Sequence, residues 1–286
     1  MTETLPRVWL ITGASSGFGF AMTKYALSKG DIAVATLRKP EVLDDLKAQY
    51  PAEQLLVVKL DVTKPEEVAN AFTKTKEVFG RLDIVFNNAA FFVVGEVEST
   101  PEDVARSLFE TNFWGASYVT REAIGFFRDV NKPGVGGRLL QISSQGGFFS
   151  FPGVAYYGAT KYALEGLSQG LAGELDPEWN IKITIVEPGE FDTKVFTSNL
   201  VQPPIHPAYA TKPHLPSNLF RQQYIAAPSK RQDPNKAVIK LYELASLENP
   251  PLRLPIGKDA IGFVKDQLEQ VARDRESFAH WSDDLE

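Results

Sequence analysis

The stretch Thr12-Gly13-Ala14-Ser15-Ser16-Gly17-Phe18-Gly19 follows a short apolar run at residues 8–12 and precedes an amphipathic run at 17–29. That order predicts a strand, a tight turn and the start of a helix. Gly13 permits the turn, Gly17 lets the backbone approach a ligand, and Gly19 lets the helix lie close to the sheet. Unpaired N–H groups and the positive end of the helix then converge, which is what a pyrophosphate needs. Three close glycines among 21 mean little by themselves. Set in the first strand–turn–helix unit, with Ser15, Ser16 and Phe18 between them, they read as a dinucleotide cradle.

The same alternation continues outward along the chain. Strands are expected at 8–12, 32–37, 55–60, 82–86, 138–143, 181–187 and 252–256, and helices at 17–29, 40–49, 65–79, 101–130, 155–176 and 234–247. Strand and helix in alternation imply a doubly wound α/β fold with a parallel sheet covered on both faces. Near-continuous apolar strands such as LLVVKL fit burial on both sides. The 286 residues read as one domain: a dinucleotide-binding core over about 7–189, an insert over about 190–233, and a C-terminal helix, last strand and tail over 234–286. The insert gathers Pro203, Pro204, Pro207, Pro213, Pro216 and Pro228 and loses periodicity. It is either a surface excursion or a lid over a substrate.

Composition narrows the chemistry. A net charge of −6 disfavours a phosphate-backbone binder, so no nucleic-acid partner is expected. The absence of cysteine removes disulfides, thiolate metal sites and thiol nucleophiles, and His206, His214 and His280 lack metal-site spacing, so no metal is expected. No apolar run reaches membrane length and no leader pattern opens the chain, so the default compartment is the cytoplasm. The chemistry must come from Ser, Tyr, Lys, Asn, carboxylates or a cofactor acting on a small molecule.

The glycine spacing GxxxGxG resembles the fingerprint TGxxxGxG of the classical short-chain dehydrogenase/reductase family. The resemblance implies a single Rossmann-type domain with a seven-stranded sheet and a nicotinamide cofactor. At the end of the second expected strand the chain reads Ala35-Thr36-Leu37-Arg38-Lys39, with no carboxylate before Glu41. Arg38 suits a 2′-phosphate, so the cofactor is expected to be NADP(H). Asp61-Val62 resembles the pair that brackets the adenine. Asn87-Asn88-Ala89-Ala90 resembles NNAG with Ala in the last place, and Asn87 and Ala89 are taken as cofactor positions. Pro188-Gly189 followed by Thr193 resembles the stretch that holds the nicotinamide carboxamide.

Tyr157 and Lys161 stand four apart on an expected helix, sharing one face. A nearby ammonium makes a phenolate less costly, which a tyrosine needs to exchange protons. Tyr25 and Lys29 have the same spacing, so the pair alone decides nothing. Context does: Ser144 stands thirteen residues before Tyr157, at the end of a strand, and Asn112 lies in the long helix after the Asn-Asn turn. Both match the family's serine and asparagine. The resemblance implies that Tyr157 exchanges a proton with the substrate oxygen, which Ser144 orients. It further implies that Lys161 lowers the tyrosine pKa and holds the nicotinamide ribose, and that Asn112 supports a proton relay; Tyr157 and Lys161 thus also count as cofactor residues.

Phe91, Phe92, Trp114, Phe148, Phe149 and Phe151 surround this set in sequence. They predict a pocket for a bulky apolar or aromatic ketone or alcohol, unless they are core. Residues 157–175 and 35–38 look most like the 17β-hydroxysteroid-dehydrogenase-like branch. A non-catalytic NADP(H)-binding sensor and a reductase of carrier-bound ketoacyl chains are the alternatives. A homo-oligomer, dimer or tetramer, paired through 101–130 and 155–176, is the default assembly.

Overall fold

The computed structural model describes residues 5–226 and 231–285, so Pro228 of the insert lies outside the described residues. In chain order the strands are β1 (Val8–Thr12), β2 (Ile32–Leu37), β3 (Leu55–Lys59), β4 (Ile84–Asn87), β5 (Phe92–Val93), β6 (Gly137–Ile142), β7 (Ile181–Pro188), β8 (Leu200–Val201) and β9 (Arg253–Ile256). Seven of them form one parallel sheet in the order β3-β2-β1-β4-β6-β7-β9. The chain leaves β1 towards β2 on one side and returns to β4 on the other. Loops at the carboxyl ends of β1 and β4 therefore diverge and open a crevice.

The helices are α1 (Gly17–Ser28), α2 (Asp44–Lys47), α3 (Pro65–Phe79), α4 (Glu102–Phe109), α5 (Ala116–Asp129), α6 (Ala155–Glu174), α7 (Pro207–Ala210), α8 (Pro216–Phe220), α9 (Pro234–Leu244) and α10 (Lys258–Phe278). The alternation of β1 shows how both faces of the sheet are covered. Trp9 and Ile11 pack with Met22, Leu27 and Leu241 from α1 and α9, whereas Val8 and Leu10 pack with Phe72, Val119 and Phe127 from α3 and α5. A polar residue on either face of such a strand would be buried without water, which explains the continuous apolar runs.

The expected helix over 40–49 is split: a 3₁₀ turn at Pro40–Leu43 runs into the single turn of α2. The expected helix over 101–130 is interrupted by a π segment, Glu110–Gly115, between α4 and α5. Asn112, at its middle, donates from Nδ2 to the Phe91 carbonyl at 2.9 Å and accepts the Phe91 N–H at 3.0 Å. The widened turn thus fastens the helix to the loop leaving β4.

The insert has only short elements. The two-residue strand β8 pairs in parallel with β5, matching Phe92 to Leu200 and Val93 to Val201. Its neck is closed by a bridge between Phe191 and Gln232. A buried ion pair, Arg221 to Glu96 at 3.0 Å, ties its far end to the loop after β5. Phe92, Val94, Val154 and Phe220 form a third apolar cluster where the insert meets the carboxyl edge of the sheet. Beyond β9, α10 keeps Ala260 as its one buried residue. Among the described residues no helix is long and apolar enough to cross a membrane.

Candidate active site

The crevice at the carboxyl ends of the strands is a cavity of about 490 Å³. Its floor at one end is the glycine loop. Gly13 has φ +68, the left-handed region that a side chain disfavours. A Cβ on Gly19 would stand 2.4 Å from the Gly13 carbonyl oxygen and 2.8 Å from Asn88 Nδ2. Ser16 caps α1 in an extended conformation without a side-chain hydrogen bond, and no acidic residue occupies the first helical turn. The first N–H groups of α1 are left facing the cavity end with no local anion.

Thr12 and Asn88 lock the two diverging loops together. The Thr12 hydroxyl accepts from the N–H groups of Asn88 and Ala89 at 2.8 and 3.0 Å, and Asn88 Nδ2 donates to the Thr12 carbonyl at 2.9 Å. Gly13, Ser15, Ser16, Phe18, Arg38, Asp61, Val62, Ala89, Pro188, Gly189 and Thr193 line this cavity, as do Ser144, Tyr157 and Lys161. Gly19, Asn87 and Asn112 do not. Gly19 acts from behind the loop. Asn87 is buried, its Nδ2 donating to Gln141 Oε1 at 2.7 Å and the Ala116 carbonyl at 2.8 Å, so it braces β4 against β6 and α5. Its neighbour Asn88, not singled out from sequence, takes the place at the wall. Arg38 is exposed and makes no salt bridge among the described residues.

At the other end, β6 delivers Ser143 and Ser144 and the first turn of α6 delivers Tyr157. Ser144 caps a short 3₁₀ turn, Gln145–Gly147, its hydroxyl accepting the Gly146 N–H at 3.0 Å. The Tyr157 and Phe92 rings stand perpendicular, with centroids 4.6 Å apart. Burial pushes the Tyr157 hydroxyl up to about 12, and a hydrogen bond with Ser144 opposes that rise. One turn on, Lys161 is buried and donates from Nζ to the Ile142 carbonyl at 2.9 Å. Burial pulls the Lys161 ammonium down to about 8, while the Glu165 carboxylate pulls it back up. Lys161 Nζ stands 5.8 Å from the Tyr157 ring centre. Asn112 reaches the set through Thr160, at 3.4 Å, whose hydroxyl donates to the Tyr157 carbonyl. The like-spaced pair Tyr25 and Lys29 sits at the far end of α1, away from the cavity lining, with Lys29 over the Tyr25 ring.

Of the six aromatic residues expected at the mouth, Phe91, Phe92 and Phe151 line the cavity. Trp114 is exposed, Phe148 lies under Arg253, and Phe149 packs on Phe151 and Phe263. The insert supplies the remaining wall: Val195, Phe196, Val201 and Phe220. Sequence reasoning also missed Glu165, although its place four residues after Lys161 put it on the same helical face.

Glu190, unlike Glu165, lines the cavity wall. Burial pushes it up to about 7, Asp259 adds to the rise and Arg231 opposes it. An acid raised in the folded state favours folding fully below its ordinary value, and that contribution is lost as pH climbs through 7. Glu190→Gln is therefore expected to raise Tm by about 2 °C at pH 8 and to leave it unchanged near pH 4.5. A thermal melt that shows no gain at pH 8 contradicts this.

Comparison with known proteins identifies the family. The family model described as short chain dehydrogenase matches residues 7–202. An uncharacterized oxidoreductase of Schizosaccharomyces pombe is 40% identical over 268 residues, covering 94% of this chain and 88% of that protein. A crystal structure of a short-chain dehydrogenase from Streptomyces avermitilis superposes with a TM-score of 0.88 at 38% identity, covering 100% of both chains. Two more distant structures share the fold and cover 96% of this chain and 97% of theirs. One, from Burkholderia cenocepacia, is in complex with NADP (23% identity, TM-score 0.72), and the other, from Burkholderia phymatum, with NAD (21%, 0.78). A crevice at the strand-order reversal, a glycine loop at one end and a Ser–Tyr–Lys set at the other are thus met by a family match over residues 7–202: the chain belongs to the short chain dehydrogenase family and is an oxidoreductase of that family.

Proposed function

We propose that the protein moves a hydride between NADP(H) and a carbonyl or secondary alcohol, and that its substrate is bulky and apolar or aromatic. The reading is carried by one observation: Ser144, Tyr157 and Lys161 meet at the end of a cavity opposite the glycine loop. The cradle fits a dinucleotide, because Gly13 and Gly19 approach so closely that a side chain on Gly19 would push the loop off the start of α1, and the α1 N-terminus has no competing anion in its first turn. Within it the Gly13–Gly19 loop would hold the pyrophosphate and Arg38 the 2′-phosphate. Asp61, Val62 and Ala89 would flank the adenine side, Lys161 and Tyr157 the nicotinamide ribose, and Pro188, Gly189 and Thr193 the carboxamide.

When bound, the nicotinamide supplies the hydride that reaches the carbonyl carbon. The protein's own residues manage the oxygen. Tyr157 is kept protonated by its buried setting, and it donates that proton as charge develops on the substrate oxygen. Ser144 gives the same oxygen a second hydrogen bond, fixing its direction. Lys161 offsets the charge left on the tyrosine, and Asn112 holds the helix in register with the Phe91 loop. Oxidation runs the same proton movements backwards.

The walls of the substrate end are Phe92, Phe151, Phe196 and Phe220. They favour apolar carbonyl compounds, in keeping with the likeness of residues 157–175 to the 17β-hydroxysteroid-dehydrogenase-like branch. The groove between α5 and α6, lined by Ile124, Leu167 and Leu171 with Gly166 and Gly170, suits pairing with a second copy.

The test is NADPH and NADH consumption over a ketone panel graded in hydrophobicity. Rising kcat/KM with apolar size and a preference for NADPH support the reading; a small polar sugar as best substrate, or no turnover at all, overturns it. In the same assay Arg38→Asp is expected to shift the NADPH/NADH ratio of kcat/KM by about 100-fold towards NADH, since it removes the guanidinium and adds a repelling carboxylate. An unmoved ratio would show that Arg38 does not read the 2′-phosphate.

A further inference from the structure

Directly behind the Ser–Tyr–Lys set lies a buried network of charges. Glu165 is one helical turn beyond Lys161, and its side chain is 3% exposed. Ser143, the residue before Ser144, donates to Glu165 Oε1 at 2.6 Å. Arg253, on β9, forms a salt bridge with Glu165 Oε2 and reaches Glu187 of β7 at 2.7 Å and Gln169 at 3.2 Å. A Cβ on Gly147 would stand 2.2 Å from Glu165 Oε1, so the turn carrying Ser144 closes directly over this carboxylate.

The groups facing Lys161 can be followed element by element. On its own helix these are Tyr157 and Glu165, and from the end of β6 it meets the Ile142 carbonyl. Glu165 is the one anion among them. Around Glu165 stand Lys161 and Tyr162 on α6, Ser143 after β6, Arg253 on β9 and Glu187 on β7. Arg253 divides itself between two carboxylates, and one of them, Glu165, is the anion whose field acts on Lys161. A buried ammonium with no facing anion gives up its proton, because the low-dielectric surroundings penalise its charge.

We propose that Glu165 is a positioning residue of the catalytic set: its carboxylate, anchored by Ser143 and Arg253, keeps Lys161 charged and holds the Ser143–Ser144 turn in place. The proposal rests on the reading of Tyr157 and Lys161 given above. A nearby negative charge favours the protonated form of both Lys161 and Tyr157. Neutralising it therefore moves the proton loss of the pair to lower pH. Ketone reduction needs the pair protonated, so its alkaline limit reports the charge on Glu165.

Glu165→Gln keeps the shape and an acceptor for Ser143 while removing the charge. Steady-state ketone reduction is followed from pH 5.5 to 9.5, alongside Tm at each pH. The expected result is kcat/KM within about threefold of wild type at pH 6, an alkaline limb lowered by about one unit, and a loss of about tenfold at pH 8. Glu165→Asp, which retains the charge with a shorter stem, is expected to keep the limb within about 0.3 unit of wild type even if its Tm falls. A limb unmoved in Glu165→Gln, or moved as far in Glu165→Asp, overturns the proposal. So does a uniform loss at all pH values, which marks a purely structural network. Tyr157→Phe in the same assay separates the two levels. If it keeps activity within tenfold of wild type, the catalytic reading and this inference fall together. If it is inactive and the Glu165→Gln limb has not moved, the inference alone fails.

Discussion

Replacing Tyr157 by Phe is expected to lower kcat for ketone reduction by about 10³-fold, with KM and NADPH affinity within about threefold of wild type. The substitution removes one oxygen and keeps the ring. The ring's contact with Phe92 at 4.6 Å therefore survives, as does the helix turn that bonds the Tyr157 carbonyl to Thr160. Ser144 loses its hydrogen bond with Tyr157 but still accepts the Gly146 N–H, and its own O–H faces the cavity, so no buried donor is stranded. What disappears is the hydroxyl beside Ser144 that burial holds in its acid form at neutral pH. Water in the cavity is a poor substitute, because it is neither positioned nor matched in acidity. Tm is expected to move by no more than about 3 °C. Stopped-flow and steady-state kinetics, with fluorescence titration of NADPH, check the split. Activity within tenfold of wild type refutes the proton-donor role, and lost NADPH binding with unchanged kcat at saturation refutes the division of labour between the two cavity ends.

Much of this arrangement was legible because it is local in sequence. Strand β1, the glycine loop and α1 are one continuous stretch, and the alternation of Trp9 and Ile11 against Val8 and Leu10 already demands cover on both faces. Tyr157 and Lys161 are related by helix geometry, and Ser144 by a fixed turn between a strand and that helix. Features that depend on distant partners were not legible. The π segment at Glu110–Gly115 leaves the apolar pattern of its flanks intact, and its anchor is the backbone of Phe91, 21 positions away. Strands β5 and β8 have two residues each and exist through each other. Arg253 meets Glu165 and Glu187 across separations of 88 and 66 residues, which no periodicity encodes. The exchange of Asn87 for Asn88 at the cavity wall has a simpler cause. Successive side chains at the end of a strand point to opposite sides, so identical neighbours cannot be told apart without the register.

The aromatic residues illustrate the same limit. Six were expected to gather at the mouth, and three do. Phe149 and Phe148 instead meet α10 and Arg253 of β9, partners so far away in sequence that no local pattern pairs them. The insert was legible by its prolines as an interruption, yet its aromatic contribution, Phe196 and Phe220, was not, because irregular chain has no period from which an inward face can be read.

Gly19→Ala is expected to weaken NADPH binding by about 100-fold, or about 2.7 kcal/mol, while the fold persists with Tm lower by about 3–6 °C. Gly19 is not among the glycines at positive φ, so the backbone itself tolerates a side chain. The cost comes from contact. The added methyl would meet the Gly13 carbonyl oxygen at 2.4 Å and the Gly13 carbonyl carbon at 2.8 Å. Those atoms are backbone and cannot rotate away. The third neighbour, Asn88 Nδ2 at 2.8 Å, is itself committed to the Thr12 carbonyl. Relief requires the loop to lift from the start of α1, and this disperses the N–H groups that the Gly13–Gly19 turn gathers. The sheet and both apolar cores lie behind the loop, so the loss is concentrated in the cradle. Gly166→Ala provides the counterpart: its Cβ meets nothing within 4 Å, and alanine favours the helix, so NADPH affinity should be unchanged. Isothermal titration of NADPH into both variants decides the matter. A Gly19→Ala dissociation constant within threefold of wild type means that the close approach of Gly13 and Gly19 is packing alone, and that the dinucleotide is held elsewhere.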